Sequence, residues 1–286
     1  MSTPERRREI AQDTLYRTPS IISSTPGASD TSIFISPSRD TYNDPLRYRN
    51  PLAPLERTRC PTFPPTTVRV DGRDAFTCAR DVMQDGHEKV VVLNLASDER
   101  RAGGWLEYLT RTQEEALCYS STLYTTLKEE YYPWPNLGPG ASAGIFSPAV
   151  VVFKHDLDHD CADLPVEQRR VVSVITVAAP RHPQLTPDGS SLGREEDIED
   201  FRAKIRLIYR IAGREKRQAL ILGACPMGCG AYACPPEQVA SEMRAILLED
   251  EFRGWFSAVV FAVYRSETHP SPVYDVFKRF LDGTVV

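Results

Sequence analysis

Gln113-Glu114-Glu115 places two adjacent carboxylates at the start of a helical run, eight residues after the small-residue stretch Ala102-Gly103-Gly104. Neighbouring carboxylates suit general acid/base work, because each can push the other's proton affinity and leave one protonated near neutral pH. Small residues between a strand and a helix let backbone N–H groups approach an anion, and a helix N-terminus favours negative charge. Together they describe a site that grips an anionic nucleotide and moves a proton on it. Trp105 and Tyr108, inside the loop, either line that pocket or anchor the loop by packing.

A second stretch of the same character follows the strand-like Ala219-Leu220-Ile221-Leu222. Gly228, Cys229, Gly230, Ala231 and Tyr232 precede a helix that starts near Pro235, a further place for amides to cradle phosphates. Cys225, Cys229 and Cys234 lack the second pair or histidine that a zinc site needs, and Cys229 has no histidine nearby in sequence. His155 to Asp160 reads as a solvated acidic turn between strands. Neither a metal nor a cofactor is therefore expected. Thr112-x-x-Glu115 also fits a capping box, in which both side chains would serve the helix start instead of a ligand.

These residues need a scaffold, and the apolar pattern supplies one. Strands are expected at 67–70, 90–95, 150–153, 171–177, 219–222 and 258–264, with a short one at 33–35. Helices are expected at 6–15, 74–84, from 113 to about 130, and at 195–212, 235–248 and 274–281. Continuous apolar strands alternating with helices indicate a mixed sheet covered on both faces. From Thr18 to about Pro65 the chain is rich in Ser, Thr, Pro and Arg, which suggests an arm, partly ordered on the domain. The expected division is a helix and arm at 1–65 and one domain at 66–286.

The chain has 286 residues, a hydrophobic fraction of 41% and a net charge of −5. That acidity argues against a general nucleic-acid binder, so an anionic ligand must be recognised locally. Seven cysteines without framework spacing suggest reduced thiols and an intracellular setting. No apolar run reaches the roughly 18 residues that span a bilayer.

With Asn94-Leu95-Ala96-Ser97 before the glycines and Ala116-Leu117-Cys118-Tyr119-Ser120-Ser121 after the glutamates, the motif resembles the Gly-Gly-Gly to Gln-Glu-Glu signature of poly(ADP-ribose) glycohydrolases, in their compact microbial and fungal form. The resemblance runs from about residue 85 to about residue 280. It implies a macrodomain-like α/β/α sandwich and exo-acting hydrolysis of the ribose–ribose bond of poly(ADP-ribose), with ADP-ribose released. It makes Glu115 the acid/base and gives Glu114 the ribose hydroxyls. Asn94, Ala102, Gly103, Gly104, Trp105, Gln113 and the 228–232 loop would bind ligand, with Tyr232 standing where Phe is usual. Ala178-Ala179-Pro180 would border the adenosine side. The implied partners are ADP-ribose, its polymer and ADP-ribosylated proteins, met by a monomer in nucleus or cytoplasm. Ala102 replaces the first glycine, and Glu107-Tyr108-Leu109 adds bulk and charge where microbial relatives carry small residues. Those departures keep open an alternative, a reader that binds ADP-ribose with little or no turnover.

Overall fold

The computed structural model describes residues 3–37, 53–223, 232–266 and 271–286. In chain order the elements are α1 (Pro4–Ser24), β1 (Ile33–Ile35), β2 (Arg69–Asp71), α2 (Ala75–Gln84), β3 (Val90–Leu95), α3 (Gln113–Ser120) and β4 (Gly144–Val152). They continue with β5 (Arg170–Val177), α4 (Glu195–Arg214), β6 (Ala219–Gly223), α5 (Pro236–Leu247), β7 (Ala258–Ala262) and α6 (Pro272–Leu281).

The strands form one sheet in the order β1-β4-β5-β3-β6-β7-β2. β1 on β4 and β4 on β5 are antiparallel; the remaining neighbours are parallel. β3 shows why the central strands read as unbroken apolar runs. Val91 and Leu93 pack into one core with Ile205 of α4, Val239 of α5 and Phe277 of α6. Val90 and Val92 pack into the other with Ile10 of α1, Phe76 of α2 and Leu117 of α3. Both faces are buried, so both sets of side chains are apolar. The result is the expected α/β/α sandwich with a mixed sheet.

Two helices differ from the sequence reading. α1 runs through Pro19 to Ser24, although the pattern suggests an end near Leu15. Its buried stripe of Ile10, Ala11, Thr14, Thr18 and Ile21 outweighs the N–H that proline lacks. α3 ends at Ser120 and two short 3₁₀ turns follow, at Leu123–Thr126 and Glu129–Tyr131, where a helix to about Glu130 was expected. Ser120 and Ser121 return their hydroxyls to the carbonyls of Ala116 and Leu117 (3.1 and 2.7 Å), and Ser121 then bridges to Val152 of the sheet. Hydroxyl side chains that serve nearby backbone compete with helix continuation. No helix among the described residues is long and apolar enough to cross a membrane.

Candidate active site

β3, β5 and β6 are mutually parallel, so their carboxyl ends open on one edge of the sheet. Ligands of open α/β sheets bind in the crevice outside those ends. Here the crevice is a cleft of about 510 Å³, lined by Ser97, Gly103, Gly104, Glu114, Glu115 and, from later loops, Ala179, Arg181 and Tyr232.

Both glutamates lie at its floor. Glu114 is 2% exposed and Glu115 4%. Oε2 of Glu114 accepts the Ser97 amide (2.9 Å), and Oε1 faces Asn94 Nδ2 at 3.4 Å. Oε1 of Glu115 accepts the Gly104 amide at 2.8 Å, and its Oε2 accepts the Thr112 hydroxyl. The carboxyls converge on Gly103, where an added Cβ would stand 2.6 Å from Glu115 Oε1 and 3.0 Å from Glu114 Oε2. Burial pushes the Glu114 carboxyl up to about 8, against the hydrogen bond from Ser97, with the neighbouring Glu115 charge adding to the rise. A carboxyl with that proton affinity is protonated at neutral pH.

Thr112 begins α3 without capping it by a side-chain bond, because its hydroxyl is turned to Glu115. The capping box is not formed. Gln113 holds the helix to the sheet: its Nε2 donates to Leu93 O (2.7 Å) and its Oε1 accepts the Leu95 amide (2.9 Å). The side-chain amide thus imitates a strand partner where β3 and β6 have ceased to pair beyond Val92 and Ile221. Gly223 leaves room for it, since a Cβ there would lie 2.4 Å from Gln113 Nε2. Asn94 is fully buried beneath Glu114 and also donates to Thr176 Oγ1 at 3.2 Å.

The first loop is built differently from the expectation of free amides. Gly103 N donates to Arg100 O and Trp105 N to Ala102 O, both at 3.1 Å, while Gly104 N serves Glu115. Ala102 has a φ of 57° and is fully buried among the residues packed around Trp105 and Leu117. Its methyl group points into the core, so the departure from glycine adds nothing to the cleft. Trp105 is also buried, edge-on to Tyr119. Glu107 is paired with Arg100 (2.7 Å), which also donates to the Tyr108 hydroxyl (3.1 Å) and lies over the Tyr108 ring. The added charge is thus balanced at the rim.

Gly228, Cys229, Gly230 and Ala231 lie outside the described residues, as do Cys225 and Cys229 of the cysteine run. Tyr232 is in the cleft wall, and its hydroxyl donates to Asp98 Oδ1 at 3.1 Å. Asp98 and Arg181 were not singled out from the sequence. Their signals were a charge directly after Asn94-Leu95-Ala96-Ser97 and a cation directly after Ala178-Ala179-Pro180. Among the described residues, no three His, Cys, Asp or Glu side chains gather as a metal site would require.

Residues 14–155 match the family described as the microbial-type PARG catalytic domain, PARG being poly(ADP-ribose) glycohydrolase. The fold is similar to that of the Deinococcus radiodurans poly(ADP-ribose) glycohydrolase in complex with ADP-ribose, at 29% identity and a TM-score of 0.69, over 90% of this chain and 98% of that one. The Thermomonospora curvata enzyme aligns over 96% of this chain and 98% of its own, with a TM-score of 0.73 and 24% identity. Its complex with the inhibitor ADP-HPD gives 23% identity and a TM-score of 0.72, over 96% of this chain and 98% of that one. A search of curated proteins gave no match.

Proposed function

Because the chain belongs to the microbial-type poly(ADP-ribose) glycohydrolases, we propose that it hydrolyses the ribose–ribose bond of poly(ADP-ribose), releasing ADP-ribose from polymer ends. The observation that carries this reading is the convergence of two buried, adjacent carboxyls under Gly103 at the floor of a nucleotide-sized cleft.

Breaking a glycosidic bond passes through an oxocarbenium-like state, so the departing oxygen needs a proton and water must lose one. On this reading Glu115 does both. Its carboxyl gives its proton to the departing oxygen and regains one from the attacking water; the Gly104 amide and the Thr112 hydroxyl orient it. Glu114, protonated and fixed by Ser97, holds ribose hydroxyls. The diphosphate of ADP-ribose is met by Arg100 and Arg181, which line the cleft. Phosphate recognition by the first loop then rests on Arg100, because the Gly103, Gly104 and Trp105 amides are engaged within the protein.

The features that favoured a reader lose their force. Ala102 faces the core, and Glu107 is neutralised at the rim. We further infer that the polymer is met on ADP-ribosylated proteins, inside the cell and by a monomer. The described cysteines are free thiols, which fits a reducing compartment.

The test is release of free ADP-ribose from purified polymer, with ADP-ribose binding measured by calorimetry on the same samples. Wild type is expected to turn over, and Glu115→Ala to lose about 10²–10⁴-fold in rate, the usual range for an acid/base group, while it still binds. Turnover retained in Glu115→Ala would transfer the proton to Glu114. Binding without turnover in wild type would make the chain a reader.

A further inference from the structure

Resting on that reading of the cleft, we propose that Asp98 is a positioning residue, a latch that fixes the Tyr232 ring and the Arg181 guanidinium where they meet ADP-ribose. Asp98 is 2% exposed and is absent from the cleft lining. A buried carboxylate is retained only when its oxygens are well partnered. Those of Asp98 are partnered by two different loops. Oδ1 accepts the Tyr232 hydroxyl at 3.1 Å, from the segment after β6, and Oδ2 accepts Arg181 Nη2 at 3.3 Å, from the segment after β5. Asp98 itself stands in the loop after β3, and its carbonyl accepts the Trp134 amide at 3.1 Å. One side chain therefore ties together the loops at three adjacent strand ends.

The two groups it holds are cleft groups. Tyr232 and Arg181 both line the cavity, and Arg181 is held a second time by Glu99. A ring packing on ribose needs no hydroxyl. The phenol of Tyr232 is explained by the carboxylate that receives it. Arg181 is further fixed through its backbone, whose amide donates to Asn136 Oδ1 at 2.7 Å. Asp98 thereby sets the side-chain direction of a residue whose main chain is already anchored. The glutamates are positioned by other residues, Ser97, Asn94, Thr112 and Gly104, so the latch bears on ligand placement and not on proton transfer.

The experiment compares wild type with Asp98→Ala, Asp98→Asn, Tyr232→Phe and the Asp98→Ala/Tyr232→Phe double variant. It reads ADP-ribose release, calorimetric binding of ADP-ribose, and amide exchange at His182, whose N–H donates to Tyr232 O at 3.1 Å. Asp98→Ala is expected to raise KM and Kd about tenfold, the scale of one hydrogen bond to a charged group, with a smaller change in kcat. Tyr232→Phe moves the same quantities in the same direction. The double variant is expected to be no weaker than Asp98→Ala alone, and Asp98→Asn to recover part of the loss. Independent, additive losses, or a KM unchanged in Asp98→Ala, would overturn the latch. Should Asp98→Ala fail to fold, Asp98→Asn and Tyr232→Phe with their double variant decide by the same coupling. Should wild type neither bind nor release ADP-ribose, the reading of the cleft fails. His182 exchange still decides the latch: faster in Asp98→Asn supports it, unchanged overturns it.

Discussion

Thr112 gives its hydroxyl hydrogen to Oε2 of Glu115 instead of accepting an amide of the helix it begins. A residue placed by sequence as a helix cap is thus a carboxylate holder. Thr112→Val keeps the shape and removes the hydroxyl. We expect kcat to fall about tenfold, as for loss of one hydrogen bond to a charged group. Stability should fall by less than the ~1 kcal/mol typical of a lost N-cap. Thermal unfolding beside initial rates checks both; a cap-sized loss of stability with kcat intact would return Thr112 to the capping role.

Gly103 has a φ of 55°, and its missing Cβ is the space toward which both carboxyls point. Gly103→Ala adds a methyl 2.6 Å from Glu115 Oε1 and enforces a left-handed residue, a cost of about 1–2 kcal/mol. Turnover is expected to collapse by at least about 10²-fold, as for a displaced acid/base group. ADP-ribose release measured on the folded variant is the check, and near-normal rates would show that the carboxyls work from another position.

Glu114 titrates near 8 in the folded chain and near 4.5 in the unfolded one. Between those values the folded state binds the extra proton, so stability from this group falls as pH rises across the window. Glu114→Gln removes the titration. The melting temperature of the variant is expected to decline less than that of wild type from the ordinary carboxylate range up to about pH 8. Parallel curves for the two proteins would show that Glu114 is already ionised.

Gln113→Ala strips the partners from Leu93 O and the Leu95 amide at the end of β3. Buried backbone groups left unsatisfied cost about 1–3 kcal/mol each. Chemical denaturation is expected to register a loss of that order. Turnover should fall too, because the same amide registers the glutamate-bearing helix on the sheet. A loss below about 1 kcal/mol would mean that the backbone finds other partners.

What was readable from sequence divides by how local its cause is. β3 was exact because six apolar or small-polar residues buried on both faces leave a continuous run, Val90–Leu95. The glutamate pair was readable because its spacing from the glycines is fixed within one loop. The end of α3 was missed because Ser120 and Ser121 read as tolerable in a helix until their hydroxyls return to its own carbonyls. The length of α1 was missed because Pro19 outweighs, in sequence, a stripe whose value appears only against α3 and β4. Asp98 was hidden for a similar reason: its partners lie 83 and 134 residues away, and no window of sequence contains all three.

α1 carries a consequence for how the protein comes into being. Thr14 donates to Tyr119 O at 2.9 Å and Arg7 to Leu109 O at 2.6 Å, across 105 and 102 residues of chain. Lys154, buried, closes the same contact through Thr14 Oγ1 at 2.9 Å. During synthesis this helix leaves the ribosome about a hundred residues before these partners do. Its Ile10, Ala11 and Ile21 must wait as an open apolar stripe until β4 emerges. The segment that bears the two glutamates is then clasped between the sheet and this helix. The glutamates are therefore seated only after two stretches made about a hundred residues apart have met.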